Sequence, residues 1–327
     1  MQSVLCTAFG PIDNLSLQSV SPPVLAPGQV RIEVAACGVN FPDILIVQGK
    51  YQARPELPFA PGGEVAGVVS EVADDVSGVA VGQRVMATIF WGGMAEQAVV
   101  PANILVPVPE DMDFLTASVF QGGHTTAYYA LKQRGRLRAG ENLVVLGAAG
   151  GVGLAAVQVG KAMGARVIAA AGSEEKCAIA RDSGADETIN YSNEDLKSRI
   201  RALTAGQGAD VILDPVGGEP FDQACRSINY EGRILVVGFA SGHIPQYAAN
   251  LALLKSCALV GVNYQAFFDR DRAGVEENFR ELLQMVTQGR IAPRIDRVFP
   301  LAEAAQALHY VAGRKVAGKV VVTVQDL

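Results

Sequence analysis

Apolar positions along this chain follow two different rhythms. In residues 1 to about 123 they alternate with period two: Gln29-Val30-Arg31-Ile32-Glu33-Val34 has the pattern of a half-buried antiparallel strand. Val65 to Val72 and Arg84 to Ile89 continue it, separated by the glycine and proline turns Pro27-Gly28, Pro61-Gly62-Gly63 and Trp91-Gly92-Gly93. This composition predicts a small β-barrel or folded sheet. A helical pattern follows between Asp113, a candidate N-cap, and Leu131. From Asn142 to about Tyr264 short apolar runs alternate with helical patterns, with strands expected at 142–147, 166–171, 186–190, 210–215, 232–239 and 257–263. Strands joined by helical crossovers make a doubly wound parallel sheet, so the class is α/β. Beyond Tyr264 come helices near Val275–Thr287 and Ala302–Val311 and a last strand at Lys319–Val324. These do not extend the alternation and are expected to fold back onto the first domain. The expected division is therefore 1–123, 124–264 and a returning segment, 265–327.

The pattern is sharpest from Asn142 to Gly164. The run Leu143-Val144-Val145-Leu146 suits a buried parallel strand. Gly147-Ala148-Ala149-Gly150-Gly151-Val152-Gly153 follows, and then a helix with Val152, Ala155, Ala156, Val159 and Met163 on one face. Strand, glycine turn and helix in that order form the context for binding a dinucleotide. Gly150 lacks a Cβ, so backbone can approach a pyrophosphate, and Gly153 lets helix and strand pack closely. The N–H groups opening the helix favour negative charge. Ala148 replaces the first glycine of the usual G-x-G-x-x-G, which weakens the bare motif. A tight turn with no ligand is the plainer alternative.

The next strand, Ala165 to Ala171, ends in Gly172-Ser173-Glu174-Glu175-Lys176. A site for NAD places Asp or Glu at this strand end to bond the ribose 2′-OH. Here Ala171-Gly172-Ser173 presents no carboxylate to repel a 2′-phosphate. Ser173 can donate to that phosphate and Lys176 can neutralise it, which favours NADPH. Ser173 as a simple N-cap is compatible with this, and Lys176 as a solvated helix residue is the competing reading. Glu174 and Glu175 as substitute ribose ligands keep NAD open.

Composition narrows the partners. The 327 residues are 50% hydrophobic and include 35 glycines, enough for two domains with buried cores. A formal charge of −6 argues against a dedicated nucleic-acid binder or an anionic membrane surface. MQSVLCTAFG lacks a basic region followed by a long apolar run, so no signal peptide is expected, and no apolar stretch is long enough for a membrane helix. Cys6, Cys37, Cys177, Cys225 and Cys257 form no C-x-x-C pair, so neither a disulfide frame nor a zinc knot is expected, and a cytoplasmic location fits.

Seven ordered stretches carry a family resemblance across nearly the whole chain: CGVNFPD at 37–43, GKY at 49–51, PGGEVAGVV at 61–69, GAAGGVGLAAVQVGKAMGA at 147–165, AGSEEK at 171–176, DPVGG at 214–218 and VVGFASG at 236–242. The sequence resembles the zinc-free quinone oxidoreductase (zeta-crystallin-like) branch of the medium-chain dehydrogenase/reductase superfamily. The resemblance implies a GroES-like β-rich catalytic domain, built from both ends of the chain, with a Rossmann domain between. By the same analogy Thr126 bonds near the nicotinamide ribose and phosphates, and Ala149, Gly150, Gly151 and Val152 hold the pyrophosphate. Gly172, Ser173, Lys176 and Tyr191 surround the 2′-phosphate, and Gly238, Phe239, Ala240 and Ser241 line the nicotinamide pocket.

Zinc members of the superfamily use a Cys in G-V-C, a His in G-H-E and a Cys shortly before T-x-Y. This chain has Asn40, Gly63 and Gly122 there. An amide and two glycines cannot replace thiolate and imidazole on Zn²⁺, and the four-cysteine structural lobe is missing, so no metal is expected. Acceptors that take hydride without strong polarisation then fit: quinones first, activated C=C bonds in enones, enals or enoyl-CoA second, with a non-catalytic NADPH-binding role as a further alternative. Asn40 can donate its amide to the acceptor or the nicotinamide ribose, or support a turn. The Tyr51 hydroxyl can reach cofactor or acceptor, or the ring can simply pack at a loop edge. His124 is a candidate proton donor or a structural histidine, and Cys37 reads as a core residue. A CoA substrate would favour a basic cluster from Arg54, Arg270, Arg272 and Arg294. The apolar runs at 251–254 and 257–262 mark an edge strand that suits a homodimer.

Overall fold

The computed structural model describes all residues from Met1 to Leu327. The chain forms two compact units, Met1–Gly122 with Pro293–Leu327, and Gly123–Ala292.

In the first unit the strand Gln29–Val39 is central to a seven-stranded sheet. It pairs antiparallel with Glu64–Val72 on one side and Lys319–Thr323 on the other, while Gln97–Pro101 pairs with its first half. Its alternating first half buries Val30, Ile32 and Val34, the period-two pattern of a half-buried strand; from Ala35 to Val39 every residue is buried. The core beneath gathers Val65, Val69, Val85, Val100, Val320 and Val322. The helix Phe114–Phe120 lies on the same strand so closely that a Cβ on Gly38 would stand 2.2 Å from the Ser118 carbonyl oxygen. Its first turn is capped as expected, the Asp113 side chain accepting from the Thr116 N–H at 2.7 Å.

The second unit is a Rossmann domain. Six parallel strands are ordered Glu187–Asn190, Arg166–Ala171, Asn142–Leu146, Ala209–Asp214, Ile228–Val236, Ala258–Gly261. In chain order that is third, second, first, fourth, fifth, sixth, the dinucleotide-binding arrangement. Leu143 to Leu146 are fully buried, as strands covered on both faces require.

The return to the first unit falls at Pro293, not at residue 265. The helices Tyr264–Arg270 and Arg272–Thr287 stay with the Rossmann unit. Phe267 stacks on Tyr129 with ring centroids 4.3 Å apart, and Glu281 accepts from the Tyr128 hydroxyl at 2.6 Å. Loss of the strand–helix alternation therefore did not mark the boundary, because aromatic packing and side-chain hydrogen bonds hold these helices. Helix 304–312 and strand 319–323 do lie in the first unit.

Candidate active site

In the Rossmann unit, strand Asn142–Leu146 lies between Arg166–Ala171 and Ala209–Asp214, where the strand order reverses. Ligand-binding crevices open outside the carboxyl ends of such strands. Two loops meet there. Gly147, at φ +58, would place a Cβ 2.7 Å from the Val216 side chain, so the turn after the first strand abuts the loop after the fourth. That loop is braced by Asp214, whose carboxylate accepts from the N–H groups of Val216 and Gly217 at 2.8 and 3.0 Å. Residues 238–241 are pinned to it: Ala240 N–H donates to Pro215 O at 3.0 Å and Ser241 N–H to Val216 O at 2.9 Å.

The helix Gly151–Ala162 begins at this crevice with Gly150 as its N-cap. Its hydrogen-bond ladder starts at Leu154 N–H to Gly150 O, 2.7 Å, and the preceding first-turn N–H groups of Gly151, Val152 and Gly153 lie ahead of the ladder. Two glycines here have different reasons. A Cβ on Gly153 would lie 2.2 Å from Gly147 O, a clash with backbone. A Cβ on Gly150 would meet only Gly147 O, at an ordinary 3.4 Å. Protein packing thus explains Gly153 and leaves the space beside Gly150 to an outside group. The site fits a dinucleotide pyrophosphate.

At the next strand end, Ser173 caps helix Glu174–Asp182, its oxygen accepting from Lys176 N–H at 3.3 Å. Tyr191 is held beside Gly172: Tyr191 N–H donates to Ala171 O at 3.1 Å and Ser192 Oγ to Gly172 O at 2.9 Å. Gly172, Ser173, Lys176 and Tyr191 are each half-buried. Glu174 accepts from the buried Asn190 amide at 2.9 Å, so one of the two substitute ribose ligands is already engaged. Thr126 is half-buried in the short helix Thr126–Tyr129 of this unit. His124 is buried, its Nε2 3.2 Å from Gln158 Oε1, while Gln158 donates to Ala292 O at 2.8 Å, which is a packing arrangement.

In the first unit, Asn40 belongs to a cluster that sequence inspection missed. Val320 pairs with Val39, so antiparallel register brings Lys319 beside Asn40. Gly38 pairs with Glu64 on the other neighbouring strand. The Lys319 ammonium donates to Glu64 Oε2 at 3.0 Å and to Asn40 Oδ1, and Asn40 Nδ2 donates to the same Glu64 oxygen at 3.2 Å. Glu64 Oε1 accepts from Gly122 N–H at 2.7 Å. Glu64 is 1% and Lys319 6% exposed, so both charges are neutralised inside the protein. A Cβ on Gly122 would stand 2.9 Å from this carboxylate. Of the three positions that carry ligands in zinc members, Asn40 and Gly122 therefore sit against an internal ion pair, while Gly63 faces Ile89 O and the Asp43 carboxyl. No group of three or more His, Cys, Asp or Glu side chains is placed to hold a metal. The signal for Lys319 and Glu64 was present in the sequence, since each opens an otherwise apolar strand, KVVV and EVAGVV.

Asp43 lies alongside, accepting from Asn40 N–H at 2.7 Å. Burial pushes its carboxyl up to about 7, against the opposing pull of that N–H and of Lys319. Tyr51 packs half-buried against Ile46, Val47 and Phe59. Burial, and then the negative charge of Asp43, raise its hydroxyl pKa. Cys37 is fully buried, and desolvation drives its thiol well above the ordinary range, so it is no nucleophile. Of the four arginines, Arg54 and Arg294 belong to the first unit, Arg270 and Arg272 to the second. Arg54 donates to Gly49 O, Arg294 to Ala317 O, and Arg272 lies over the Phe268 ring at 4.3 Å.

Residues 26–110 match the alcohol dehydrogenase GroES-like domain and residues 151–288 the zinc-binding dehydrogenase family. The chain is 40% identical over 312 residues to quinone oxidoreductase-like protein 2 of Bos taurus, covering 95% of this chain and 89% of that one. A mycobacterial protein solved with NADPH superposes with TM-score 0.92 at 30% identity, over 99% of this chain and 100% of that one. The Escherichia coli quinone oxidoreductase, also complexed with NADPH, gives TM-score 0.92 at 27% identity over 99% and 100%. With both domain models in register and full-length relatives at this identity, the chain belongs to the medium-chain dehydrogenase/reductase superfamily, in its zinc-free quinone oxidoreductase branch.

Proposed function

We propose that this oxidoreductase uses NADPH to reduce quinones without a metal ion. The observation that carries the reading is the Lys319–Glu64 pair against Asn40 and Gly122, a self-neutralised cluster where zinc enzymes polarise their substrate. An acceptor suited to this chemistry spreads incoming charge over its own ring. When bound, NADPH supplies a hydride from its nicotinamide ring. The chain's residues bind and orient: the Ala149–Val152 turn takes the pyrophosphate, and Thr126 the nicotinamide ribose side. Ser173 and Lys176, with Gly172 and Tyr191, take the 2′-phosphate. Residues 238–241, fixed to the Asp214 loop, frame the nicotinamide. Asn40 gives an N–H to the acceptor, with Tyr51 as a second polar contact, and the hydroquinone takes its protons from solvent.

The test is NADPH oxidation after exhaustive EDTA dialysis, with 1,4-benzoquinone, 9,10-phenanthrenequinone, acrolein and crotonyl-CoA side by side. Fast turnover of the quinones supports the reading. Preference for acrolein or crotonyl-CoA makes this a C=C reductase instead, and tight NADPH binding with no turnover makes it a binding protein. Loss of activity on dialysis, restored by zinc, overturns metal independence.

A further inference from the structure

The amide of Asn40 cannot turn over in its site. Its two ends differ chemically: Oδ1 only accepts hydrogen bonds and Nδ2 only donates. One neighbour, the Lys319 ammonium, has no acceptor, and the other, the Glu64 carboxylate, has no donor. Oδ1 must therefore face Lys319 and one Nδ2 hydrogen must face Glu64 Oε2, as observed. Exchanging the two ends would oppose N–H to ammonium and oxygen to carboxylate. This orientation follows from the partners and is not an arbitrary choice between similar atoms. Glu64 is itself fixed by Lys319 and by Gly122 N–H, and Lys319 by the strand register that pairs Val320 with Val39.

We infer that Lys319 is a positioning residue for the acceptor. Together with Glu64 it locks the Asn40 carboxamide, so the Nδ2 hydrogen not given to Glu64 is the donor offered to an acceptor oxygen. This rests on the quinone reductase reading above. The lock replaces geometrically what a metal does in the zinc relatives: it presents one electrophilic contact at a fixed place, here a hydrogen-bond donor of preset direction.

Lys319→Met alone leaves Glu64 buried without its countercharge and can fail to fold. The decisive variant is Lys319→Met/Glu64→Gln, which removes both charges together; its one carbonyl oxygen can still accept from Gly122 N–H, while its NH2 end then faces Asn40 where the carboxylate oxygen accepted from Nδ2. The expected result is a folded protein whose NADPH affinity stays within about twofold while KM for 1,4-benzoquinone rises about tenfold. kcat should move less. In an Asn40→Ala background the same replacement should change KM less than about twofold, because the lock has nothing left to hold. An unchanged quinone KM with Asn40 present, or a second full rise in its absence, overturns the inference.

A readout free of turnover separates this from failure of the functional reading. In ¹⁵N-labelled protein the Asn40 Nδ2 proton that Glu64 accepts, assigned by its absence in Asn40→Ala, should exchange slowly with solvent. Exchange should become fast in Lys319→Met/Glu64→Gln. Equal exchange in both proteins rejects the lock even if quinones are reduced; slow exchange lost in the variant supports it even if the enzyme proves to act on another acceptor.

Discussion

Gly150 and Gly153 stand in one turn and invite opposite experiments. Gly153→Ala drives a methyl into the backbone of Gly147, so it should destabilise the Rossmann unit by several degrees in thermal unfolding. Gly150→Ala adds a methyl where the protein has room, so melting should be nearly unchanged while NADPH affinity falls at least tenfold. Titration of NADPH fluorescence beside a melting curve checks both; a Gly150→Ala protein that binds normally would refute the pyrophosphate assignment. Lys176→Ala should weaken NADPH severalfold with little change for NADH, since only NADPH carries the 2′-phosphate, and equal losses would contradict the choice of cofactor. At this scale the glycine turn and the Ser173 cap were legible because glycine and serine announce backbone geometry in the sequence. The ion pair was not. Glu64 and Lys319 are 255 residues apart, and only the sheet register makes them neighbours. Asn40 was visible as a substituted position, but its partners were not.

Among the elements, the strand Ala258–Gly261 is the last in its sheet, paired only to Ile228–Val236. Leu259 on it is 44% exposed, and Leu253 and Leu254 on the preceding helix are 81% and 73% exposed. Such a short apolar edge leaves backbone groups ready to pair with another strand. The C-terminal helices of the chain do not cover these leucines. We propose a homodimer through this edge, with a two-fold axis continuing the sheet. Light scattering at micromolar concentration should give twice the chain mass, and Leu253→Glu/Leu259→Lys should give the mass of one chain; a monomeric native protein rejects the proposal. The strands themselves were readable from short apolar runs between turns, to within a few residues. The domain return was not, because the helix Arg272–Thr287 is amphipathic and its pattern does not say which unit its apolar face will meet. The helix buries Val275, Phe279 and Leu282 and belongs to the Rossmann unit.

For the molecule as a whole, the buried carboxyl of Asp43 links stability to pH. Its pKa in the folded protein, about 7, lies above its ordinary 3.8. Between those values the folded state holds a proton that the unfolded state has released, so stability is greatest at the acid end and falls as pH rises. The loss begins near pH 4 and is complete just above 7. At about 1.4 kcal/mol per pH unit the ceiling is roughly 4 kcal/mol. This trend opposes the usual behaviour of surface carboxylates, whose pairing strengthens as they ionise. The sole tryptophan, Trp91, lies in the same unit as Asp43 and packs against the cluster that includes Tyr51 and Phe59. Its fluorescence therefore reports unfolding of the unit concerned, without requiring the Rossmann unit to unfold in the same step. Urea titrations followed at Trp91 should show the midpoint falling between pH 5 and pH 8 in the native protein. In Asp43→Asn, which has no proton to lose, that fall should shrink while the absolute midpoint drops, because the new amide has one acceptor oxygen where the carboxyl takes the N–H groups of both Asn40 and Gly63. Parallel pH profiles for the two proteins would show that Asp43 is ionised throughout, and that Lys319 and the backbone donors outweigh its burial.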